Sequence, residues 1–186
     1  MLCVSILIMG MGFLIYPMFF PLIAISKNLS GNLIGLLMSI PAVVSLICAP
    51  ILNRYILIFG IEKIILSVAF AFGGGYIMMG VIAPFENNAA FIGVNAGALC
   101  LLGYAVAANT IGEQSLLIMY SSKQDREKNL GMFRAASGIG SILSPLLGAG
   151  TYAAGGFMAA FLSIGILFNL VQPFVYLSLL KSRDEF

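Results

Sequence analysis

Long runs of apolar residues, separated by short polar or charged stretches, dominate the chain. Residues 1–26, 28–53, 64–85 and 87–112 contain no Asp, Glu, Lys or Arg. A charge at the bilayer centre costs about 2.5 kcal/mol or more, and a spanning helix needs about 20 residues. Each of these four runs therefore predicts a transmembrane helix.

A fifth uncharged run, residues 135–180, is too long for one span. At about 1.5 Å of rise per residue it would be about twice the thickness of the hydrocarbon core. We expect it to fold back at Gly155-Gly156, because adjacent glycines end helices easily. The predicted spans are 2–26, 31–53, 63–84, 90–120, 129–154 and 157–180. The fold class is then all-α, a polytopic membrane protein whose residues 1–186 form a single bundle of six transmembrane helices.

Composition agrees with a lipid environment, since 61% of the residues are hydrophobic and 9% are charged. The three cysteines, Cys3, Cys48 and Cys100, fall in different predicted spans and suggest neither a disulfide framework nor a metal site. The chain has no histidine and no pairing of a nucleophile with a base. We therefore expect no enzyme, no cofactor and no metal.

The basic residues predict the orientation of the bundle. With six spans, both termini lie on the side that collects most of the Lys and Arg residues, and Lys27 alone lies on the other. The positive-inside rule makes that richer side cytoplasmic, in a plasma membrane or an intracellular vesicle. The lipid bilayer is the expected partner, and the charge calls for no nucleic acid. The basic residues of the richer side are Arg54, Lys63, Lys123, Arg126, Lys128, Arg134, Lys181 and Arg183.

Two ionisable residues lie within the predicted spans, Glu113 in the fourth and Arg134 in the fifth. We favour an interhelical ion pair, because each charge would offset the burial cost of the other. At about 100° per residue, however, Asn95, Asn109 and Glu113 share one face of the fourth helix. Such a polar stripe would suit a water-filled cavity, where Glu113 could accept a proton. Both interpretations stay open.

Other candidate residues lie on the fifth and first helices. Small side chains occupy one face of the fifth helix, where a neighbouring helix could approach closely. On the first helix, Tyr16 and Phe20 flank Pro17 and either contact a solute or pack in the core. The predicted packing motif comprises Gly131, Ser137, Gly140, Ser141, Ser144, Pro145 and Gly148.

Several of these motifs resemble the major facilitator superfamily, nearest its vesicular amine and polyamine transporter branch. The segment 16–51, with its Pro-x-Phe-Phe-Pro at Pro17, is similar to the first two helices of that family. In the fifth helix the spacing from Gly131 through Gly140 and Pro145 to Gly148 matches the family's antiporter motif. The chain departs from the family pattern at Leu57, Ile58 and Leu99, where charged residues are usual.

The resemblance implies a function. It implies the N-terminal six-helix half of a small-solute antiporter coupled to protons, with the solute site between two halves. The fifth helix would pack against the other half, which a second six-helix unit or a second copy of the chain would supply. The alternative is a half-bundle that transports nothing and binds or regulates a partner protein through the fifth helix.

Overall fold

Helices make up nearly all of the protein. The computed structural model describes residues 2–122 and 124–183, although the side chains of some helical residues, Glu113 among them, lie outside that description. Within these residues there is no strand. The five helices are α1 Leu2–Ser26, α2 Gly31–Phe59, α3 Ile61–Ile82, α4 Asn88–Tyr120 and α5 Arg126–Arg183. Each contains a segment that is long and apolar enough to cross a membrane.

Helix α5 is broken at Gly155 and Gly156, whose backbone dihedral angles are not helical. Gly156 has a φ of 68°, which a residue without a Cβ adopts at little cost. We call residues 126–154 the N-terminal arm of α5 and residues 157–183 its C-terminal arm.

Both arms of α5 pack against α1 at the same level of the bundle. Gly10 of α1 approaches the backbone of Ser137 in the N-terminal arm, while Gly12 approaches the ring of Phe168 in the C-terminal arm. In a straight helix, residues 137 and 168 would be about 46 Å apart at about 1.5 Å per residue. Because both meet α1 within half a turn, the chain reverses direction at the two glycines.

The connection between α2 and α3 is shorter than the sequence predicted. Helix α2 continues past Arg54 to Phe59, six residues beyond the predicted end of the second span, and Gly60 alone separates it from α3. Gly60 has a φ of 81°, and its N–H donates to the carbonyl of Ile56 at 3.1 Å. Arg54 is exposed, so its charge is compatible with a continuing helix.

Helix α3 lies between α4 and the C-terminal arm of α5, and Gly73 and Gly75, two of its three consecutive glycines, allow these contacts. A Cβ at Gly73 would lie 2.9 Å from the carbonyl oxygen of Gly165, and one at Gly75 would lie 3.1 Å from that of Ala98. Small residues of this kind let helix backbones approach closely within a membrane.

Two glycines of the predicted α5 motif, Gly140 and Gly148, pack against α1 of the same chain, and packing of α5 against a second half stays a prediction. A Cβ at Gly140 would collide with the carbonyl oxygen of Leu7 and lie 3.0 Å from the backbone nitrogen of Met11. Ser144 is fully buried, and a Cβ at Gly148 would meet the ring of Phe19. The other members of the motif have different surroundings. Ser141 donates to the Ser137 carbonyl at 3.0 Å, and Pro145 is half-buried. Gly131 is exposed and has open space beside it.

One lysine joins two loops at the end of the bundle opposite Gly60. Lys27, between α1 and α2, donates from its Nζ to the carbonyl of Phe85, which precedes α4, at 2.6 Å. The same ammonium lies 5.1 Å from the centre of the Phe91 ring, a cation–π distance. The α1–α2 and α3–α4 loops are therefore neighbours at this end.

Candidate functional site

A groove of about 700 Å³ lies between α1 and α2, with α3 and α4 forming its floor. Helix α2 supplies the longest wall, residues 38–49, and the other three helices supply two residues each. The volume lies within the range of small-molecule sites in proteins. The residues outside α2 are Tyr16 and Pro17 of α1, Phe72 and Tyr76 of α3, and Leu102 and Val106 of α4.

The groove exists because α1 and α2 scarcely touch each other. Helix α1 packs along α5, whereas α2 packs along α4, so the space between them remains open above α3. Gly103 permits the second contact, since a Cβ there would lie 2.9 Å from the Cα atom of Pro41. Proline removes one backbone N–H from a helix and disturbs the preceding turn. Pro17 and Pro41 both line the groove, so each places such a turn at its wall.

The lining is apolar, with a few hydroxyl groups. None of the described lining residues carries a charge. Tyr76 is fully buried and donates its hydroxyl proton to the carbonyl of Gly12, while the Tyr16 hydroxyl is buried without a hydrogen-bond partner among the described groups. Ser45 supplies a third hydroxyl. Such a surface suits a solute with an apolar body and few polar groups.

The predicted polar stripe of α4 lies on the groove side of that helix. Leu102 and Val106 line the groove, and at about 100° per residue they lie within about 60° of Asn95, Asn109 and Glu113. Asn95 is only 1% exposed and donates to the carbonyl of Phe91 at 2.8 Å, and Asn109 is half-buried. This face of α4 is therefore apolar at the groove, where Leu102 and Val106 lie, and the buried amide of Asn95 lies nearer the Lys27 end.

The two aromatic candidates of α1 lie in different environments. Tyr16 lines the groove, whereas Phe20 is fully buried. The Phe20 ring stacks on Phe91 with 6.4 Å between centroids and lies 5.5 Å from the Tyr16 ring. Phe20 is thus a packing residue beneath Lys27 and does not border the groove.

The ion pair between Glu113 and Arg134 stays a prediction. Arg134 is exposed on α5, while the Glu113 side chain lies outside the described part of the structure. Helices α4 and α5 make few contacts with each other.

Sequence reasoning missed the groove residues Phe72, Tyr76, Met38 and Ala42. A signal was present for two of them, because Phe72 and Tyr76 are four residues apart and so share a face of α3. That signal fits core packing equally well, and their rings do stack, with 6.3 Å between centroids.

An all-helical bundle of membrane-spanning helices with a solute-sized groove between them is an arrangement that membrane transporters use. The family comparison agrees, because residues 2–185 match the model of the Major Facilitator Superfamily. The chain belongs to that superfamily.

Similar proteins place the chain near one branch of the superfamily. It is 25% identical over 159 residues to the MFS-type transporter SLC18B1 of Mus musculus and 26% identical over 160 residues to that of Homo sapiens. Each match covers 83% of this chain and 34% of the relative, so the chain spans about a third of the length of these transporters. No solved structure matches the chain.

Proposed function

We propose that the chain forms one six-span half of a small-solute transporter, and that the groove between α1 and α2 lines one side of the solute path. The groove itself is the main support, because it combines a volume of about 700 Å³ with an uncharged, largely apolar lining drawn from four helices. Transporters of this kind hold their solute near the bilayer midplane, between two repeats.

The proposal includes six membrane crossings with both termini in the cytoplasm. Each arm of α5 then crosses once, which the reversal at Gly155 and Gly156 allows. Gly60 and the connection before α5 lie at the basic end of the bundle, and the Lys27 loop lies at the other. This charge distribution supports a cytoplasmic position for the basic end.

A second half would complete the solute path, supplied either by another six-helix unit or by a second copy of this chain. The support comes from α2, whose side chains along the groove continue into a surface of exposed apolar residues. Leu46 lines the groove and is nevertheless 76% exposed, so it stands at the rim where another helix could close the path. Leu36 and Ile58 extend the same exposed apolar surface along α2.

Coupling to protons is the finer part of the proposal, and Glu113 is the group that would carry it. Its position on the groove side of α4 supports this role, since a carboxylate that borders a solute path can bind and release a proton. The alternative function, partner binding through the small-residue face of α5, has less support, because α1 covers Gly140 and Gly148 of that face.

Blocking the groove tests the proposal. We expect Ala42→Phe, which places a ring in the groove, to reduce solute exchange in proteoliposomes by about tenfold or more, because the ring occupies the space a solute needs. The measurement is counterflow of a panel of labelled amines, polyamines and neutral solutes by the purified chain, alone and co-reconstituted with a candidate second half.

The neighbouring residue provides a matched control. Val43 is exposed on the same turn of α2 but lies outside the groove, so Val43→Phe adds a ring there without obstructing it. Val43→Phe should retain exchange. If both variants exchange solute at the original rate, or if the unaltered chain exchanges none of the solutes in either setting, the proposed path is wrong.

A further inference from the structure

A second pocket, separate from the groove, lies between α2, α3 and α4 near Gly60 and has a volume of about 290 Å³. We propose that it binds an anionic phospholipid, with the headgroup phosphate at Lys63 and the first part of an acyl chain against Ile51, Leu52 and Ile64. This inference does not depend on the proposed solute path, but it rests on the proposed cytoplasmic position of the basic end.

The pocket extends from the membrane surface into the hydrocarbon layer. The apolar span of α2 ends at Ile56 and that of α3 begins at Lys63, so Tyr55 and Lys63 lie at the level of the headgroups. Ser67, one helical turn further along α3, lies about 6 Å deeper. A bound molecule would therefore need a polar end at the surface and an apolar end below it, which is the form of a phospholipid.

The charge at the mouth selects the headgroup. Lys63 is the only charged residue among those described as lining the pocket, and it makes no ion pair with any side chain that the structure describes. Arg54, beside Tyr55 in sequence, is exposed at the same end of the bundle. Basic pockets between transmembrane helices bind anionic headgroups, and the cytoplasmic leaflet is rich in them. A zwitterionic lipid offers the same phosphate but also a positive group that Lys63 repels.

The floor of the pocket favours acyl carbons over water. Ser67 donates its hydroxyl proton to the carbonyl of Ile64 at 2.6 Å, so at the 2.7 Å contact between Ser67 and Tyr104 the tyrosine is the donor. Both hydroxyl protons are thus used inside the protein. With Ile51, Leu52 and Ile64 as walls, the lower part of the pocket presents apolar surface and no free hydroxyl donor.

The pocket opens towards lipid. Ile51 is 48% exposed and Tyr55 47% exposed, although both line it. An acyl chain could therefore enter from the bilayer without leaving the hydrocarbon layer. A free phosphate ion would satisfy Lys63 alone and would leave this apolar wall uncovered.

The test compares lipids bound to the purified full chain in a neutral detergent. Native mass spectrometry counts retained phosphatidylglycerol and phosphatidylcholine, and thermal unfolding with each lipid measures the stabilisation. We expect a preference for phosphatidylglycerol that Lys63→Gln reduces about fivefold, since one basic residue at a membrane surface contributes about that factor. Glycerol phosphate, which has the same anionic group without acyl chains, should not stabilise the protein.

Two further variants keep the result decisive. Lys128→Gln removes an exposed charge on α5, outside the pocket, and should leave the lipid preference intact. Cys48→Phe fills the apolar part of the pocket and should lower retention of phosphatidylglycerol with Lys63 in place. The proposal is overturned if Lys63→Gln keeps the preference for phosphatidylglycerol, or if Lys128→Gln loses as much of that preference as Lys63→Gln does. It is also overturned if Cys48→Phe retains phosphatidylglycerol, or if glycerol phosphate stabilises the protein as well as phosphatidylglycerol does.

Discussion

Polar side chains on the helices of this bundle often hydrogen-bond to the preceding turn. Asn95 donates to Phe91, Thr110 to Val106 at 2.9 Å and Thr151 to Leu147 at 2.8 Å, in each case to the carbonyl four residues earlier. Backbone carbonyls are the nearest acceptors for a polar group in lipid, where water is scarce. A polar residue on a membrane helix therefore does not by itself indicate an aqueous cavity.

Helical periodicity alone does not distinguish the two aromatic candidates of α1 from each other. Tyr16 and Phe20 are four residues apart on α1, yet Tyr16 lines the groove and Phe20 is buried against Phe91. Periodicity places both residues on similar faces and cannot show which of them meets a neighbouring helix. That distinction depends on the gap between α1 and α2, which arises from tertiary packing.

Glu113→Gln separates proton coupling from an ion pair with Arg134. Arg134 is exposed, so we expect loss of the carboxylate to cost less than about 1 kcal/mol of stability, as for surface pairs. The glutamine cannot carry a titratable proton, and pH-driven solute movement in proteoliposomes should therefore be abolished. The measurements are transport under an imposed pH gradient and thermal unfolding in detergent.

The double variant Glu113→Gln with Arg134→Gln is the control for that experiment. A buried ion pair would behave differently, because removal of one member would cost about 3 kcal/mol or more and removal of both would restore most of it. Such a loss and recovery, with pH-driven movement retained, would contradict the coupling role of Glu113.

At the scale of helices, the bundle depends on a few points where two backbones nearly touch. Gly140 against Leu7 and Met11 joins α5 to α1, and Gly73 against Gly165 joins α3 to the C-terminal arm. Side chains can rotate away from a clash, but a backbone carbonyl in a helix cannot. Close contact between helices substitutes in lipid for the hydrophobic effect that drives packing in water.

We expect Gly140→Leu to destabilise the protein by about 3 kcal/mol, the upper end of the usual cost of overpacking, because the added atoms meet the backbone of α1. Gly138→Leu is the matched control. Gly138 is two residues away on the same helix, is exposed and has open space beside it. Thermal unfolding in detergent should show a lower midpoint for the first variant and an unchanged or higher midpoint for the second. Equal midpoints for the two leucine variants would contradict the close contact of α1 and α5.

Helix positions could be predicted from the sequence, but helix ends could not always be. The uncharged runs and the Gly155-Gly156 pair indicated the apolar helices and the break in α5, because burial of charge in lipid is so costly. The charge of Arg54 predicts that the second span ends at residue 53, yet α2 continues to Phe59. A charge near the membrane surface limits the depth of a helix and does not end it.

For the molecule as a whole, the sequence indicated the class, and the structure located the groove. Hydropathy and motif spacing were enough for an all-helical membrane protein of the Major Facilitator Superfamily, which the family comparison confirmed. The groove could not be predicted, since it results from α1 packing along α5 while α2 packs along α4. The sequence of a single helix does not show which neighbour it will pack against, because the pairing depends on how the surfaces of two helices fit together.

The orientation of the whole bundle gives the last prediction. Asn28, in the loop that holds Lys27, and Gln124, in the connection before α5, are exposed. In a chain whose three cysteines are replaced by alanine, Asn28→Cys should react with an impermeant maleimide in sealed cells that carry the protein at their surface. Gln124→Cys should react only after the membrane is opened, because the proposed orientation places the basic end in the cytoplasm. Tags at both termini should likewise be shielded until then. Labelling of both cysteines from outside would contradict the six crossings, and labelling of Gln124→Cys alone would reverse the orientation.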